Sequence, residues 1–462
     1  MNKIDFFQDL ISKLSEKDIS TTYNGINYIG SVKRHLYTVA LNSVKLENFL
    51  IDIQNEKFSN VYIYFNIEEY DLAKLMIRNS NFHPLIFFVN IKIIKYFIKY
   101  LLNLFQFNKY SNVQKSQFFI FIHHSKFIPL VKKLFQTKES NIYFVATDQN
   151  LKEISYPNNI KIVKLISNFN FFSVIKFRYI DISTLINQYE IFFLNNSSAY
   201  VLTFEGDASY NEILAIISKK FNHTSICFQW GAFPWESPKI GFRDFSHDYY
   251  LTWGEYFSEQ LLKYNKNIFK EIGNPLINQK ITSPNKKIIF LHQGYDDIFI
   301  KKHSYQKFWE LMIKLSTSLK DWEIIIRNHP NIPLSQTELK EISENKIIQH
   351  DPLLFTLSDS FANVSIAVTI MSSAIIEASA TGIIPIIFNP NIDDYTFKPE
   401  YNKLGMGWES ENIDFLYNKI IELTSNREKI STLRHRNLKM IPNIFHKLGD
   451  ESIFEFQKCF FN

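Results

Sequence analysis

Short apolar runs rich in β-branched and aromatic residues alternate with helical stretches along the chain, and this alternation constrains the fold more than any other feature. The runs before residue 200 are Val61–Phe65, Pro84–Val89, Phe118–Ile122, Ile142–Val145, Ile160–Leu165 and Ile191–Leu194. Those after Pro284 are Lys287–Leu291, Glu323–Arg327, Ile347–His350, Val364–Val368 and Ile383–Phe388. Strands separated by helices form parallel sheets that the helices cover. The sequence therefore predicts an α/β protein with two Rossmann-like domains facing a cleft.

The break between the two series of strands lies near residue 275. Gly273-Asn274-Pro275 and the polar stretch Asn278–Lys286 interrupt any continuing periodicity. We predict a first domain over residues 1–275, a second over 284–440 and a helical tail over 441–462. Doubly wound sheets bind ligands beyond the carboxyl ends of their strands, so we expect the chemistry in the loops that follow strands.

Charge and cysteine content exclude several classes of protein. Fifty-one basic and 46 acidic residues leave a net charge of +5, which does not demand nucleic acid as a partner. Two cysteines, Cys227 and Cys459, fit neither a disulfide framework nor a cysteine metal site. Acidic residues inside the N-terminal stretch predict an amphipathic helix rather than a secretion signal. We therefore expect a cytoplasmic protein.

A His-Pro loop follows the predicted strand Glu323–Arg327. Pro330 fixes its own φ and biases His329 toward an extended conformation, so the imidazole is aimed from a strand end. A histidine in that place can donate a hydrogen bond to a phosphate or a ribose. The alternative is an ordinary turn that ends the strand and leaves the histidine in solvent.

A second polar segment opens a short predicted helix that Gly382 ends. Ser372 and Ser373 stand at the start of this helix, where hydroxyls lie beside unpaired backbone N–H groups and the positive end of the helix dipole. Such a helix start binds phosphate without a glycine-rich loop. Glu377, one turn further, can accept from ribose hydroxyls, or it is an acidic residue that favours the first helical turn.

An acidic loop in the first half of the chain is the candidate for a general base. Glu205-Gly206-Asp207 follows an apolar run, and the glycine allows close backbone approach. Carboxylates at a strand end suit deprotonation of an acceptor hydroxyl, with Asp207 as first candidate and Glu205 as second. The alternative is that Asp207 or Ser209 caps the following helix.

Further motifs carry a family resemblance. They are the turn Gln229-Trp230-Gly231, the segment Asp248–Gly254 with the sequence DYYLTWG, and Gly273-Asn274-Pro275. Taken in order with the His-Pro loop and the S-S-x-x-x-E-A helix, they resemble the two-Rossmann-domain (GT-B) glycosyltransferases of bacterial capsule and surface polysaccharide synthesis. The pairing of His-Pro with Ser-Ser is most similar to the branch that uses CMP-activated sugars, namely sialyl-, polysialyl- and Kdo-transferases.

The resemblance implies that the two halves of the chain have different roles in the reaction. In that branch the His-Pro and Ser motifs hold the CMP portion of the donor, and an acidic motif in the first domain supplies the base. The expected donor contacts are His329, Pro330, Ser372, Ser373, Glu377, Gln293 and Gly294. Gln229, Trp230 and Gly231 are expected at the acceptor or cleft, although related transferases often have His where Trp230 stands. The acidic motif also differs, since the related order is two acids followed by Gly.

The expected partners are a nucleotide sugar and a saccharide or glycolipid acceptor, with no cofactor and no metal. Asp296-Asp297 and Asp393-Asp394 are acidic pairs without neighbouring His or Cys ligands. Basic residues in Ile91–Phe105 and in the stretch from Arg427 to Lys439 suit contact with the inner face of the membrane, or they form ordinary solvated helix faces. The alternative functions are a CDP-polyol phosphotransferase, a UDP-sugar 2-epimerase and a non-catalytic saccharide-binding protein.

Overall fold

A computed structural model describes most of the chain. The described residues are 3–14, 22–55, 63–65, 72–73, 76–77, 86–88, 116–122, 127–135, 142–147, 160–165, 179–204, 209–229, 231, 246–262, 268–277, 285–295, 300–330, 332–390 and 399–461. Their contacts define two compact units. The first is drawn from Met1–Trp230, Pro238–Leu251 and Leu261–Lys270, and the second from Gly231–Ser237, Thr252–Gln260 and Glu271–Asn462.

The first unit is built on a parallel sheet. Its strands are β1 (Thr22–Tyr23), β2 (Ile26–Asn27), β3 (Ile63–Phe65), β4 (Ile86–Phe88), β5 (Ser116–Ile122), β6 (Ile142–Thr147), β7 (Ile160–Leu165), β8 (Ser198–Phe204), β9 (Thr224–Phe228), β10 (Tyr249–Thr252) and β11 (Phe269–Glu271). Seven of them form one sheet in the order β11-β10-β9-β8-β5-β6-β7. Every pair of this sheet with a described register is parallel.

Helices cover this sheet, and one of them corrects a sequence prediction. The helices of this unit are α1 (Lys3–Ser12), α2 (Ile29–Asn42), α3 (Val44–Asn55), α4 (Ile128–Phe135), α5 (Tyr179–Asn195) and α6 (Ser209–Lys220), whereas α7 (Glu255–Leu262), which follows β10, lies mostly in the second unit. The strand predicted at Ile191–Leu194 is wrong, because these residues form the last turn of α5. A four-residue apolar run has no period of its own, and here Phe192 and Phe193 are buried while Leu194 is exposed.

The second unit contains a six-stranded parallel sheet. Its strands are β12 (Lys287–Leu291), β13 (Glu323–Arg327), β14 (Ile348–His350), β15 (Ile366–Thr369), β16 (Ile384–Phe388) and β17 (Trp408–Ser410). Their order is β14-β13-β12-β15-β16-β17, and every pair is parallel. In chain order this is 3-2-1-4-5-6, the doubly wound order in which the direction of winding reverses between β12 and β15. The two parallel sheets confirm the predicted α/β class with two Rossmann-like domains.

The helices of the second unit bury apolar faces against this sheet. They are α8 (Lys302–Ser318), α9 (Gln336–Glu344), α10 (Leu357–Phe361), α11 (Ala374–Ala380), α12 (Tyr401–Leu404), α13 (Ile413–Thr424), α14 (Arg427–Met440) and α15 (Gly449–Phe460). In α8 the buried Phe308, Met312 and Leu315 recur at helical spacing. They join one core with strand residues such as Ile288 and Val368, which are fully buried.

On its open edge, the outer strand β17 is hydrogen-bonded to a side chain rather than to another strand. The Nδ2 atom of Asn402 donates to the Glu409 carbonyl, and the Glu409 N–H donates to the Asn402 Oδ1, each at 2.9 Å. Glu409 is paired in register with Ile387 of β16, and the neighbouring Ser410 accepts from the Asn389 N–H on that side. Asn402 thus satisfies the backbone groups of Glu409 on the open edge of the sheet.

The segment after α14 pairs with two of the glycine-containing motifs. The His446 N–H donates to the Trp253 carbonyl, and the Asn274 N–H donates to the Lys447 carbonyl. Phe445 packs on the Trp253 ring with centroids 5.7 Å apart. A Cβ atom on Gly254 or on Gly273 would overlap the backbone of this segment. The Trp-Gly and Gly-Asn-Pro motifs therefore have a structural role, which is to admit residues 444–449 at close range.

No helix among the described ranges is both long enough and apolar enough to cross a membrane.

We expect Gly273→Ala to lower the free energy of unfolding by about 2 to 4 kcal/mol, because the added Cβ meets backbone atoms and Gly273 has a φ of +90°. Gly25→Ala is the matched control, since Gly25 has a φ of +75° with open space around its Cβ position. We expect Gly25→Ala to lower the free energy of unfolding by about 1 kcal/mol, from backbone strain alone. Urea denaturation of both variants measures the difference, and equal losses would contradict the close packing at residue 447.

Candidate functional site

Three loops of the second unit meet at the carboxyl edge of its sheet. They follow β12, β13 and β15, which are neighbours in the sheet. The loops contain His292-Gln293-Gly294, Asn328-His329-Pro330 and Ile370–Ser373, respectively. They surround the point between β12 and β15 where the winding reverses. Open α/β sheets place their ligands at this point, so the fold itself selects these loops as the candidate site.

A side chain joins the two loops across the reversal. The Oε1 atom of Gln293 accepts a hydrogen bond of 2.9 Å from the Met371 N–H. Within the second loop, the Ser372 N–H donates to the Oγ1 atom of Thr369 at 3.0 Å. These bonds fix the loop backbone ahead of α11. The amide oxygen of Gln293, predicted as a donor contact, is thus used to position its neighbour.

The two serines differ in what their hydroxyls do. Ser372 Oγ accepts from the Ala374 N–H at 3.4 Å, a long bond across the first turn of α11. Ser373 is the N-cap residue of α11, and its side chain makes no capping hydrogen bond. Both residues are half-buried. The Ser373 hydroxyl is therefore the one that makes no hydrogen bond to the start of α11.

Glu377 carries an unusual carboxyl group. The surrounding protein desolvates it and raises its pKa to about 7, although the positive charge of Arg327 opposes this rise. At neutral pH the group is divided between its neutral and charged forms. A carboxyl in this state can both donate to and accept from a ligand hydroxyl.

Arg327 links the end of β13 to the segment that follows β14. Its Nη1 atom donates to the Phe355 carbonyl at 2.9 Å and to the Ser360 Oγ at 2.6 Å. Burial lowers the pKa of Arg327, while Asp359, Glu377 and Asp351 favour its charged form. Because arginine stays protonated in proteins, this side chain brings a fixed positive charge to the candidate site.

His329 and Pro330 stand where the sequence predicts them, directly after β13. His329 is half-buried and Pro330 is exposed. The Ile332 N–H donates to the His329 carbonyl at 3.2 Å, which closes a tight turn. The Ile332 side chain lies against Gly294, which has a φ of +68° and would bring a Cβ within 2.9 Å of the isoleucine Cγ2 atom. Gly294 therefore serves close packing of the two loops.

Sequence reasoning missed His292, which follows β12 and is 3% exposed. Its Nε2 atom lies 2.8 Å from the hydroxyl of Tyr305, and that hydroxyl donates to Glu338 at 2.6 Å. Burial lowers the pKa of His292 to about 4, Glu338 opposes this, and the neighbouring charge of His329 adds to it. The sequence signal that could have identified His292 is its position, because it is the first polar residue after an apolar strand.

The predicted residues of the first half of the chain are only partly described. Glu205, Asp207 and Trp230 lie outside the described residues. Gln229 is fully buried, and its N–H donates to the Leu251 carbonyl at 2.9 Å. Gly231 is half-buried, with no atom within 4 Å of a Cβ position.

The acidic pairs and the first basic stretch, Ile91–Phe105, also lie outside the described residues. In the second basic stretch, Arg434 is buried and donates to the Val364 carbonyl at 2.8 Å. It packs inside the second unit. Over the described ranges, no group of three or more His, Cys, Asp or Glu side chains could hold a metal ion.

Comparison with known proteins shows the fold. No protein-family model matches the sequence, and no curated protein matches it by sequence. Solved structures that resemble the chain include a protein assigned as a UDP-N-acetylglucosamine 2-epimerase from Listeria monocytogenes, with a TM-score of 0.52 at 16% identity over 75% of this chain and 95% of that one. A variant of the wall teichoic acid polymerase TagF has a TM-score of 0.51 at 14% identity over 81% and 98%.

A further UDP-N-acetylglucosamine 2-epimerase structure has a TM-score of 0.52 at 13% identity, over 76% of this chain and 96% of that chain. Identities this low establish the architecture and leave the reaction open. The chain has the two Rossmann-like domains of the GT-B fold.

The raised pKa of Glu377 predicts how stability depends on pH. Between pH 4.5 and about 7 the folded state binds more protons than the unfolded state, so stability falls as pH rises through this window. Glu377→Gln should remove this loss, roughly 3 kcal/mol at pH 8, and should leave stability at pH 4.5 nearly unchanged. Urea denaturation at pH 5 and pH 8 measures it. The exposed Glu411→Gln is the control, and an identical pH dependence in both variants would contradict the assignment.

Proposed function

We propose that this chain is a glycosyltransferase that moves a sugar from a nucleotide donor, a CMP-sugar, to a saccharide acceptor in bacterial surface polysaccharide synthesis. The single observation that supports it is the placement of these residues at one edge of a doubly wound sheet: Arg327 and His329 stand at the end of β13, and Ser373 and Glu377 follow β15, on either side of β12 where the winding reverses. This edge combines groups that donate to phosphate with a carboxyl group that suits ribose. The order of motifs along the chain supports the cytidine branch.

Each residue has a role that follows from its chemistry. His329 and the Ser373 hydroxyl donate to the phosphate of the nucleotide, and Arg327 contributes positive charge at longer range. Glu377 contacts the ribose hydroxyls, since a carboxyl with a pKa of about 7 can exchange donor and acceptor roles with them. Gln293 and Gly294 hold the loops that carry these groups. In this proposal the donor binds without a metal ion.

The acceptor side of the proposal rests on the sequence. Asp207, with Glu205 as second candidate, would take the proton from the acceptor hydroxyl as it attacks the anomeric carbon and the nucleotide leaves. Gln229, Trp230 and Gly231 would border the acceptor. The reaction would take place in the cytoplasm, with the acceptor presented as a saccharide or a glycolipid at the inner face of the membrane.

Two other reactions share the fold. A CDP-polyol phosphotransferase would use the same cytidine nucleotide and form a phosphodiester product. A UDP-sugar 2-epimerase would convert its substrate with no acceptor present. The fold resemblance extends to an epimerase and to a wall teichoic acid polymerase, so it does not separate these reactions. The donor specificity and the product separate them.

A thermal-shift panel of CMP, CDP, UDP and GDP tests the donor class. We expect CMP or CDP to stabilise the protein, by about 2.7 kcal/mol at 100 times the dissociation constant, and we expect the shift to persist in excess EDTA. Selective stabilisation by UDP would favour the epimerase, and selective stabilisation by GDP would overturn the cytidine assignment. Product analysis with a CMP-sugar and an oligosaccharide acceptor then distinguishes glycosyl transfer from phosphodiester formation.

We expect His329→Ala to weaken nucleotide binding by about 10- to 150-fold, because it removes a hydrogen bond to a charged phosphate. Ser373→Ala should weaken nucleotide binding less, by about 3- to 10-fold, since a hydroxyl is a neutral donor. His435→Ala, at an exposed histidine of α14, is the matched control and should bind as the wild type does. Isothermal titration measures all three. Wild-type affinity in a folded His329→Ala protein would refute the proposed phosphate contact.

A further inference from the structure

A second cavity lies at the outer edge of the six-stranded sheet. Its volume is about 590 Å³, which is within the range of small-molecule sites. It is bordered by β17, the turn after α12, the start of α13 and the later part of α14. Its lining residues are all different from those of the candidate site, and β16 separates β17 from β15. The cavity and the candidate site therefore occupy different parts of the second unit.

Two glycines shape the wall of this cavity. Gly405 ends α12 with a φ of +64°, and a Cβ atom on it would overlap the guanidinium group of Arg436. A Cβ atom on Gly407 would overlap the Pro385 carbonyl. Met406, between them, is fully buried. The turn therefore contributes backbone rather than side chains to the wall, which leaves room for Arg436 to lie across it.

Arg436 is the exposed charge of the cavity. Its Nη2 atom donates to the Leu404 carbonyl at 3.3 Å, which holds the guanidinium group over the turn. Over the described ranges, Arg436 makes no ion pair with a carboxylate. The acidic side chain that borders the cavity, Glu409, is 6% exposed, and its Oε1 atom accepts from Asn389 at 2.6 Å. Most N–H donors of Arg436 are thus left for a ligand, and a carboxylate can accept two of them in parallel.

Two aromatic rings also border the cavity. Trp408 is half-buried, and Phe415 is 41% exposed. The Nζ atom of Lys419 lies 5.8 Å from the centroid of the Trp408 ring and 5.6 Å from that of the Phe415 ring, so the two rings flank one ammonium group. Lys419 is itself paired with Glu422 at 2.9 Å. Flat aromatic rings have large apolar faces, against which the C–H faces of a sugar ring can pack.

We propose that this cavity is a second binding site, for a saccharide that carries a carboxylate. The carboxylate binds Arg436, and the sugar rings contact Trp408 and Phe415. The choice of a saccharide over another anionic ligand rests on the proposed function, because an enzyme that extends a polysaccharide has to hold the polymer as well as the sugar at which it reacts. A site at the edge of the sheet holds a part of the acceptor chain that does not react.

Nuclear magnetic resonance of the indole N–H groups reports on this cavity separately from the candidate site. The chain has six tryptophans, and the signal that is missing from Trp408→Phe identifies Trp408. We expect this signal to shift on addition of trisialic acid or trigalacturonic acid, and neutral maltotriose to bind about 10-fold more weakly. We also expect CMP not to compete with either acidic trisaccharide for this signal.

Three outcomes of this titration would overturn the proposal. The first is equal binding of the acidic and the neutral trisaccharides, which would remove the role of Arg436. The second is the absence of a shift with either acidic trisaccharide. The third is competition by CMP, which would identify the cavity as a nucleotide site.

Arg436→Gln tests the contact with the carboxylate. It removes the charge and keeps a polar side chain, so we expect the affinity for trisialic acid to fall about 5- to 20-fold and that for maltotriose to stay the same. Arg436→Lys should lower it less, because the charge remains while the paired donors are lost. Arg427→Gln, at an exposed arginine at the start of the same helix, is the matched control and should bind as the wild type does. An equal loss in Arg427→Gln would indicate unspecific attraction and would overturn the proposal.

Phe415→Leu tests the aromatic contact, because it removes an exposed ring and keeps an apolar side chain. We expect both acidic trisaccharides to bind about 3- to 10-fold more weakly, and an unchanged affinity would contradict the ring contact. CMP affinity should equal that of the wild type in every one of these variants. CMP binding without trisaccharide binding would overturn this inference alone, whereas trisaccharide binding at Trp408 without CMP binding would overturn the proposed function and still support this site.

Discussion

The pairing of fully buried parallel strands is the constraint on which the second unit depends. β15 and β16 are buried along their whole length, so their backbone N–H and C=O groups must bond to neighbouring strands. Their side chains face helices on both sides of the sheet and are mostly apolar. Polar groups that need a ligand can appear only where the strands end. The sheet thus concentrates Thr369, His292 and Arg327 at a single edge.

The same constraint explains which parts of the fold the sequence reveals. Lys287–Leu291 and Glu323–Arg327 have the predicted bounds because charged or polar residues flank isoleucine-rich runs. Ile191–Leu194 is equally apolar but ends a helix, and four residues carry too little periodicity to separate the two states. Trp408–Ser410 escaped prediction because a three-residue edge strand has no apolar run to mark it.

The residues of the candidate site also fall into two groups, those that the sequence indicates and those that only the structure shows. His329, Ser372, Ser373 and Glu377 could be selected from the sequence, since each follows a predicted strand and the ends of neighbouring parallel strands meet. Tyr305 and Glu338 could not, because their contact with His292 depends on how α8 and α9 face the sheet. These residues are 33 positions apart in the chain, and no local pattern links them. The Trp-Gly and Gly-Asn-Pro motifs, by contrast, are visible in the sequence, but their role in admitting residues 444–449 emerges only from the packing.

Asn402 has a consequence beyond the satisfaction of two backbone groups. An edge strand with unpaired N–H and C=O groups is a template on which another chain can add a strand. At Glu409 the side chain of Asn402 already occupies both groups, in the geometry that an incoming strand would use. One residue therefore ends the sheet and removes the template that the open edge of β17 would offer to a second strand.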